Sequence, residues 1–541
     1  MNLLTARTRA ALLILITVAA FLPAIGAGYI WDDNTLLTDN PQIHGLHGLA
    51  QIWRGEQSRD YTPLTITMFW LEWRLWGDTP TGYHLLNILL HALSVLLLWR
   101  VLLRLRIRGA WLGALLFAIH PVVVASVAWV AELKNTLSAA FFFGSILAFL
   151  AGRDEKRRLL YAASVALFLL AALAKGSVVT LPAVLLLCIL WKDRKVTPRD
   201  GCDLLPFALI ALATALFTIV FQARAPHFGV LPDSPAYRLA RAGMAVWYYL
   251  AALAWPAGLS PMRRPWLPDL HSPLAYLPVV AIVAAFALLC WKRRASWARP
   301  LLFAFAYYLI LLLPVLGFVW MTLMQETPSA DWWQYLAAPG IFACVASAVV
   351  SASDRSRLAL PLFCVILALL LFQTFRRTAI YQSMETYCLA VTTEDPDAYT
   401  LQNNLGIMFK RAGHFPEAQA CFRRALQANP AYTDVHVNMA NAFGAAGDFR
   451  SAATELQHAG VMYAQQRQFS EAARSFDRAL SLRPDDLQLR FQLCQALLAL
   501  GQNNLALQVC ADLEKLARRS GNSATISAVA SLRHTCESPH P

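Results

Sequence analysis

The sequence predicts an all-α protein in two parts: a polytopic membrane helix bundle of about 11 spans, then an α-solenoid of short helical repeats. Three observations predict it. Of the 541 residues, 57% are hydrophobic and only 15% are charged, whereas a soluble chain carries about a quarter charged residues. Up to about residue 376 the apolar residues come in runs of span length; roughly 20 residues of helix cross a ~30 Å hydrocarbon core. Beyond that point the chain turns polar, rich in Ala and Gln, with helical spacing. A membrane domain over 1–380 and a repeat domain over 381–541 follow.

The apolar runs are 10–30, 83–103, 109–128, 134–152, 159–175, 177–191, 204–222, 274–291, 301–320, 335–352 and 358–375. The first follows Arg7 and Arg9. It lacks a small-residue cleavage site and reads as a retained anchor. Segment 238–258 is apolar too, but Trp255-Pro256 and Pro261 break it and Arg238 and Arg241 enter its start. Charge decides how to read it. Basic residues gather in short breaks: Arg100–Arg108, Arg153–Arg158, Lys192–Arg199, Lys292–Arg299, and Arg355 with Arg357. If 238–258 is re-entrant or interfacial, every cluster falls on the cytoplasmic side. The N-terminus is then inside and the repeat domain extracytoplasmic. The same distribution accounts for the net charge of +13 without nucleic acid. The ten cysteines show neither metal-ligand spacing nor a disulfide framework.

This topology makes 31–82 a long outer loop, in which Leu64–Trp76 is amphipathic and carries Trp70, Trp73 and Trp76. That is the pattern of a helix lying in the membrane interface. Segments 120–133, 175–178, 223–273 and 321–334 are the other outer segments. In 399–513, Leu405, Gly406, Phe409, Ala418, Phe422, Ala425 and Pro430 fall on tetratricopeptide spacing. Gly460, Tyr463, Ala472, Phe476, Ala479 and Pro484 match again. Yet Ala452 to Ala472 is 20 residues instead of 34, so one helix near 451–465 is expected to serve two units.

The chemistry-bearing residues sit in the outer loops. Asp32 and Asp33 leave the first span as adjacent carboxylates. They read either as an interfacial pair beside Trp31 or as a general base that takes a proton from an acceptor hydroxyl. His120, Glu132 and Lys134 converge on one short turn, and charges at membrane depth are costly and usually functional. Lys134 suits a lipid phosphate. Glu132 with His120 suits a divalent cation, Mg or Mn. Lys175 interrupts an apolar hairpin, either snorkelling to headgroups or supplying a second cation to a leaving phosphate. Arg59 is a further phosphate contact or a solvated loop residue. Asp331-Trp332-Trp333 reads as an aromatic belt or a sugar-stacking surface. No nucleotide-binding glycine loop and no H-E-x-x-H is present.

These motifs, in order, resemble a known family. They are Trp31-Asp32-Asp33, then Tyr61-x-Pro63-Leu64-Thr65, then His120-Pro121-Val122 leading through Ser126-Val127-Ala128-Trp129-Val130-Ala131-Glu132 to Lys134-Asn135. Lys175 with Val179-Thr180-Leu181-Pro182, Trp255-Pro256-Ala257-Gly258-Leu259 and the repeats complete the set. The chain resembles bacterial relatives of the transmembrane and tetratricopeptide repeat-containing protein O-mannosyltransferases. The resemblance implies a GT-C glycosyltransferase fold in the inner membrane of a bacterium, with a polyprenyl-phosphate-linked sugar, mannose in the family's name, as donor. It implies a protein Ser or Thr hydroxyl as acceptor, held by the repeats. It also implies inversion at the anomeric carbon, with Asp32 or Asp33 as base and Glu132 and Lys134 in the outer-loop site. Relatives often carry arginine where Thr62, Leu133 and Trp332 stand here; Arg59, Arg74 and Lys175 are the candidate replacements. A GT-C enzyme acting on an envelope lipid or glycan, and a non-catalytic membrane scaffold, are the alternative readings.

Overall fold

The computed structural model describes residues 3–56, 60–223, 234–260, 266–318, 324, 327, 329–521 and 523–537. Two compact units divide between Tyr387 and Cys388. All regular structure among the described residues is helical.

Among the described residues of the first unit, eight helices are long and apolar enough to cross a membrane: Thr5–Ile25, Pro80–Arg104, Val130–Glu155, Gly176–Asp193, Pro198–Gln222, Pro273–Trp291, Ala298–Val315 and Ala359–Ile380. A helix satisfies its own backbone groups, which hydrocarbon cannot do for it. Ala110–Ile119 and Pro121–Ala128 form one further candidate span, bent by 54°. The bend has a local cause. Pro121 has no N–H to continue the ladder, and it holds His120 in an extended conformation, φ −77° and ψ 134°. The shorter apolar helices Arg158–Ala174 and Ala338–Ser353 fill the two remaining expected positions. The ambiguous segment is a helix, Pro235–Ala254, that is not among the candidate spans. Arg241 is buried in it, its guanidinium 5.7 Å from the Tyr237 ring centroid.

Ion pairs tie the basic breaks together at one end of the bundle. Arg104 meets Asp154 at 3.2 Å and Glu155 at 2.7 Å. Lys192 pairs with Asp154, and Arg153 reaches Asp193 at 2.9 Å and Asp200 at 2.5 Å. Arg108 pairs with Asp354 at 2.7 Å. Asp200 also closes a capping box with Thr197 at the start of Pro198–Gln222. The loops that the charge pattern assigns to the outside lie at the other ends of these helices.

The helix expected at the membrane interface runs Pro63–Trp76. Thr65 Oγ1 donates to the Ala174 carbonyl at 2.8 Å, which fixes the first outer loop beside Lys175. Arg74 donates to the carbonyls of Ile43, Gly45 and Trp70 and lies 3.3 Å from the Trp70 ring centroid. It braces the loop.

The second unit stacks Tyr399–Arg411, Phe415–Ala428, Thr433–Ala445, Phe449–Gln465, Phe469–Leu482, Leu487–Ala499, Asn503–Arg519 and Ser523–Glu537. Ala418, Ala425, Ala452, Ala459, Ala472 and Ala479 are buried at the helix contacts. A Cβ on Gly406 would lie 2.6 Å from Phe422, and one on Gly460 2.5 Å from Phe476. The same glycine-on-phenylalanine docking therefore recurs in two hairpins. Phe449–Gln465 packs against both Thr433–Ala445 and Phe469–Leu482, as the shortened repeat spacing predicts. Cys494 and Cys510 are disulfide-bonded, with Cα atoms 6.3 Å apart. The spacing of the ten cysteines implies no disulfide framework, so this bond is a correction to the sequence analysis. The antiparallel hairpin brings them face to face, which spacing could not reveal.

Candidate active site

The two aspartates separate once folded. Asp33 is fully buried and Asp32 is exposed. Asp33 accepts the backbone N–H of Ile30 at 2.8 Å and of Ala131 at 2.7 Å. It thereby pins the first outer loop to the turn that carries Glu132. Burial pushes its carboxyl up to about 8, against those two N–H groups, which favour the anion. Trp31, just before the pair, has φ +48°, a left-handed conformation that costs a non-glycine residue about 1–2 kcal/mol. Its ring packs 5.9 Å from that of Trp129, which lies 5.4 Å from Trp332. Asn87 donates to the Trp129 carbonyl at 3.2 Å and accepts from Thr136 at 2.8 Å. The strained turn is thus held by packing and by hydrogen bonds from two spans, and it presents Asp32 outward.

Glu132, Lys134, Asn135 and Lys175 form one network. Glu132 is buried. Its Oε1 pairs with Lys134 Nζ at 3.1 Å and its Oε2 accepts from Asn135 Nδ2 at 2.5 Å. Asn135 also donates to Ser126 Oγ at 3.0 Å, and its Oδ1 accepts from Lys175 Nζ. The charges of Asp60 and Asp32 reach Lys134, and that of Asp60 reaches Lys175. Asp60 in turn accepts from Gln222 at the end of Pro198–Gln222. Burial lowers the Lys175 ammonium to about 8 despite the nearby Glu132. Four chain segments, at 32, 60, 132–135 and 175, therefore meet at the end of the bundle opposite the basic breaks. Two lysines lie within them.

His120 does not take the role expected of it. Its Nδ1 accepts from the Val122 N–H at 3.2 Å, and its Nε2 donates to the Leu253 carbonyl at 3.1 Å. Its ring lies 4.9 Å from Phe342. Neither nitrogen has a lone pair left for a metal, and both Glu132 oxygens already have partners. The residues present do not fit a Glu132–His120 metal centre, for a structural reason: His120 caps the short helical turn that starts at Pro121. Arg59 lies outside the described residues.

Two contributors were missed. The sequence gives Asp60 no role, because its partner, Gln222, is far away in the chain. The second is an ion pair, Asp331 with Arg377 at 2.9 Å, with Tyr248 donating to Asp331 at 3.1 Å. Asp331 is 1% exposed. The available signal was a pair of arginines at the end of the last apolar run, where Arg376 and Arg377 stand.

Mouse protein O-mannosyl-transferase TMTC3 is 28% identical over 174 residues, covering 30% of this chain and 19% of the relative. The Caenorhabditis elegans protein O-mannosyl-transferase F38B6.6 is 25% identical over 158 residues, 26% of this chain and 23% of its own length. The chain is related to the TMTC protein O-mannosyl-transferases. Drosophila melanogaster Tmtc3 is 30% identical over 165 residues, 24% of this chain and 18% of the relative. The chain thus spans about a fifth of the length of the curated TMTC relatives it matches. The Tetratricopeptide repeat family matches residues 463–526.

Proposed function

We propose that this protein is an integral membrane glycosyltransferase that moves a sugar from a polyprenyl-phosphate donor to a protein Ser or Thr hydroxyl outside the cytoplasm. The observation that carries the reading is the convergence of exposed Asp32 with Lys134 and Lys175 at one end of the bundle. The names of the TMTC relatives supply the reaction class.

Asp32 accepts the proton of the acceptor hydroxyl as its oxygen attacks the anomeric carbon. A new C–O bond forms to the acceptor, and the bond from the anomeric carbon to the phosphate oxygen breaks. The electron pair leaves with the lipid phosphate. Single displacement inverts the anomeric carbon. Charge grows on the phosphate in the transition state, and cations already in place beside it stabilise that growth without reorganisation. Lys134 and Lys175 are those cations. Glu132 and Asn135 position them, and Asp33 positions the loop that carries Asp32. No step is routed through a metal at Glu132 and His120, which do not fit one. The repeats hold the acceptor, because stacked helix pairs offer an extended binding surface. The orientation rests on the basic end facing the cytoplasm and on the Cys494–Cys510 disulfide, a bond that persists in oxidising compartments.

The test is lipid-phosphate release in detergent, with and without an acceptor polypeptide. Lys134→Ala lowers release in both conditions. Removing residues 395–541 leaves slow release by hydrolysis but abolishes transfer to polypeptide. Transfer that persists at the wild-type rate in the shortened chain rules out the repeats as acceptor site.

A further inference from the structure

The repeat unit contains a side-chain cluster that glycosyl transfer does not use. His436 lies on Thr433–Ala445; Glu455 and His458 lie on the next helix, Phe449–Gln465. Glu455 and His458 are three residues apart and so share one helix face. His436 Nδ1 and Glu455 Oε2 are 2.7 Å apart, with both side chains 15% exposed. The His436 and His458 rings stand edge to face, their centroids 5.7 Å apart. One donor atom from each of the three residues falls within 4.8 Å of the others. It is the one such trio among the described residues.

We propose that His436, Glu455 and His458 bind a divalent transition-metal ion, zinc first, across this helix pair. Two imidazoles and one carboxylate are the donor set of borderline ions; magnesium and calcium prefer all-oxygen sites. Metal–nitrogen and metal–oxygen distances of about 2.0–2.2 Å place tetrahedral ligand atoms about 3.3–3.5 Å apart. The His436–Glu455 pair, at 2.7 Å, must open by several tenths of an ångström, and the other separations, all within 4.8 Å, must close by at most about 1.5 Å to reach that spacing. His458 is exposed, so its ring is free to turn. The backbone beneath is anchored, since Val435, Leu456 and Ala459, next to the ligands in sequence, are buried in the stack. Three protein ligands leave a fourth position facing solvent, open to water or to a donor atom from a bound polypeptide. Without metal, the His436–Glu455 hydrogen bond holds the two side chains near the required geometry.

The experiment uses the full chain in detergent, stripped with a chelator and titrated with CoCl2 and then ZnCl2. The wild type should develop the intense visible bands of tetrahedral cobalt, bleached by one equivalent of zinc. His436→Gln/His458→Gln should bind at least tenfold more weakly and lose those bands, while its metal-free circular dichroism and melting match the wild type. Zinc should raise the melting temperature of the wild type and not of the double variant. Asp32→Asn should bind zinc as the wild type does. Equal zinc stoichiometry and affinity in the wild type and the double variant would overturn the assignment. So would a wild type that takes up no zinc at micromolar concentration.

Discussion

Exchanging each aspartate for asparagine separates chemistry from scaffolding. In Asp32→Asn the side chain is exposed and keeps its size, so folding should be unchanged. The amide cannot accept the hydroxyl proton. Loss of a general base costs about 10²–10⁴ in rate, equivalent to about 2.7–5.4 kcal/mol of barrier. Asp33→Asn behaves differently. Asp33 offers one oxygen to Ile30 N–H and the other to Ala131 N–H. Asparagine has one acceptor oxygen, so one buried N–H must face an NH2 group. Protonation of the aspartate does not mimic this, because a hydroxyl oxygen still accepts and an amide nitrogen does not. A buried donor left unsatisfied costs about 1–3 kcal/mol. The assay pairs sugar transfer from lipid donor to acceptor polypeptide with thermal melting of the purified enzyme. Asp32→Asn should lose at least 10²-fold in transfer with unchanged melting, and Asp33→Asn should melt earlier. Wild-type transfer by Asp32→Asn, or lost transfer with unchanged melting in Asp33→Asn, would refute this division of roles.

Lys175 is a cation below about 8, so use of the phosphate donor should decline as pH rises through that value. Lys175→Arg, which stays charged, should flatten the decline; an identical profile in both proteins would remove Lys175 from the phosphate site. Asp33 titrates near 4 when unfolded and at about 8 when folded. The folded state therefore holds the extra proton in between, and this group makes stability fall as pH rises across that window. The Asp33→Asn protein should lack that component, as denaturation at several pH values would reveal. Finally, a cysteine placed on the exposed surface of the repeats, Ala412→Cys, should react with an impermeant thiol reagent in intact cells. Labelling confined to permeabilised cells would place the repeats in the cytoplasm.

The apolar runs were legible because hydrocarbon demands a helix of nearly fixed length, and each expected run contains a helix among the described residues. The repeats were legible down to the doubled helix, because small residues recur wherever helices approach closely. The convergence of Asp32, Glu132, Lys134 and Lys175 was legible only as a shared side of the membrane. Which carboxylate is buried was not, since neighbours in sequence point in different directions once a turn as strained as Trp31 precedes them. His120 misled because a histidine beside a proline can cap a helix as well as bind a metal. Asp60 and Arg377 stayed hidden because their partners, Gln222 and Asp331, come from remote segments that only folding brings near.

Phe449–Gln465 acts as the second helix of one hairpin and the first helix of the next. In a stack of alternating inner and outer helices, a single shared member reverses the alternation. Helices that occupy the inner layer before it have their sequence counterparts in the outer layer after it. A polypeptide lying along one layer therefore meets one set of repeat positions up to Thr433–Ala445 and a different set from Phe469–Leu482 onward. Any recognition code read from the first two hairpins cannot be extended to the rest by adding multiples of 34 to the residue number.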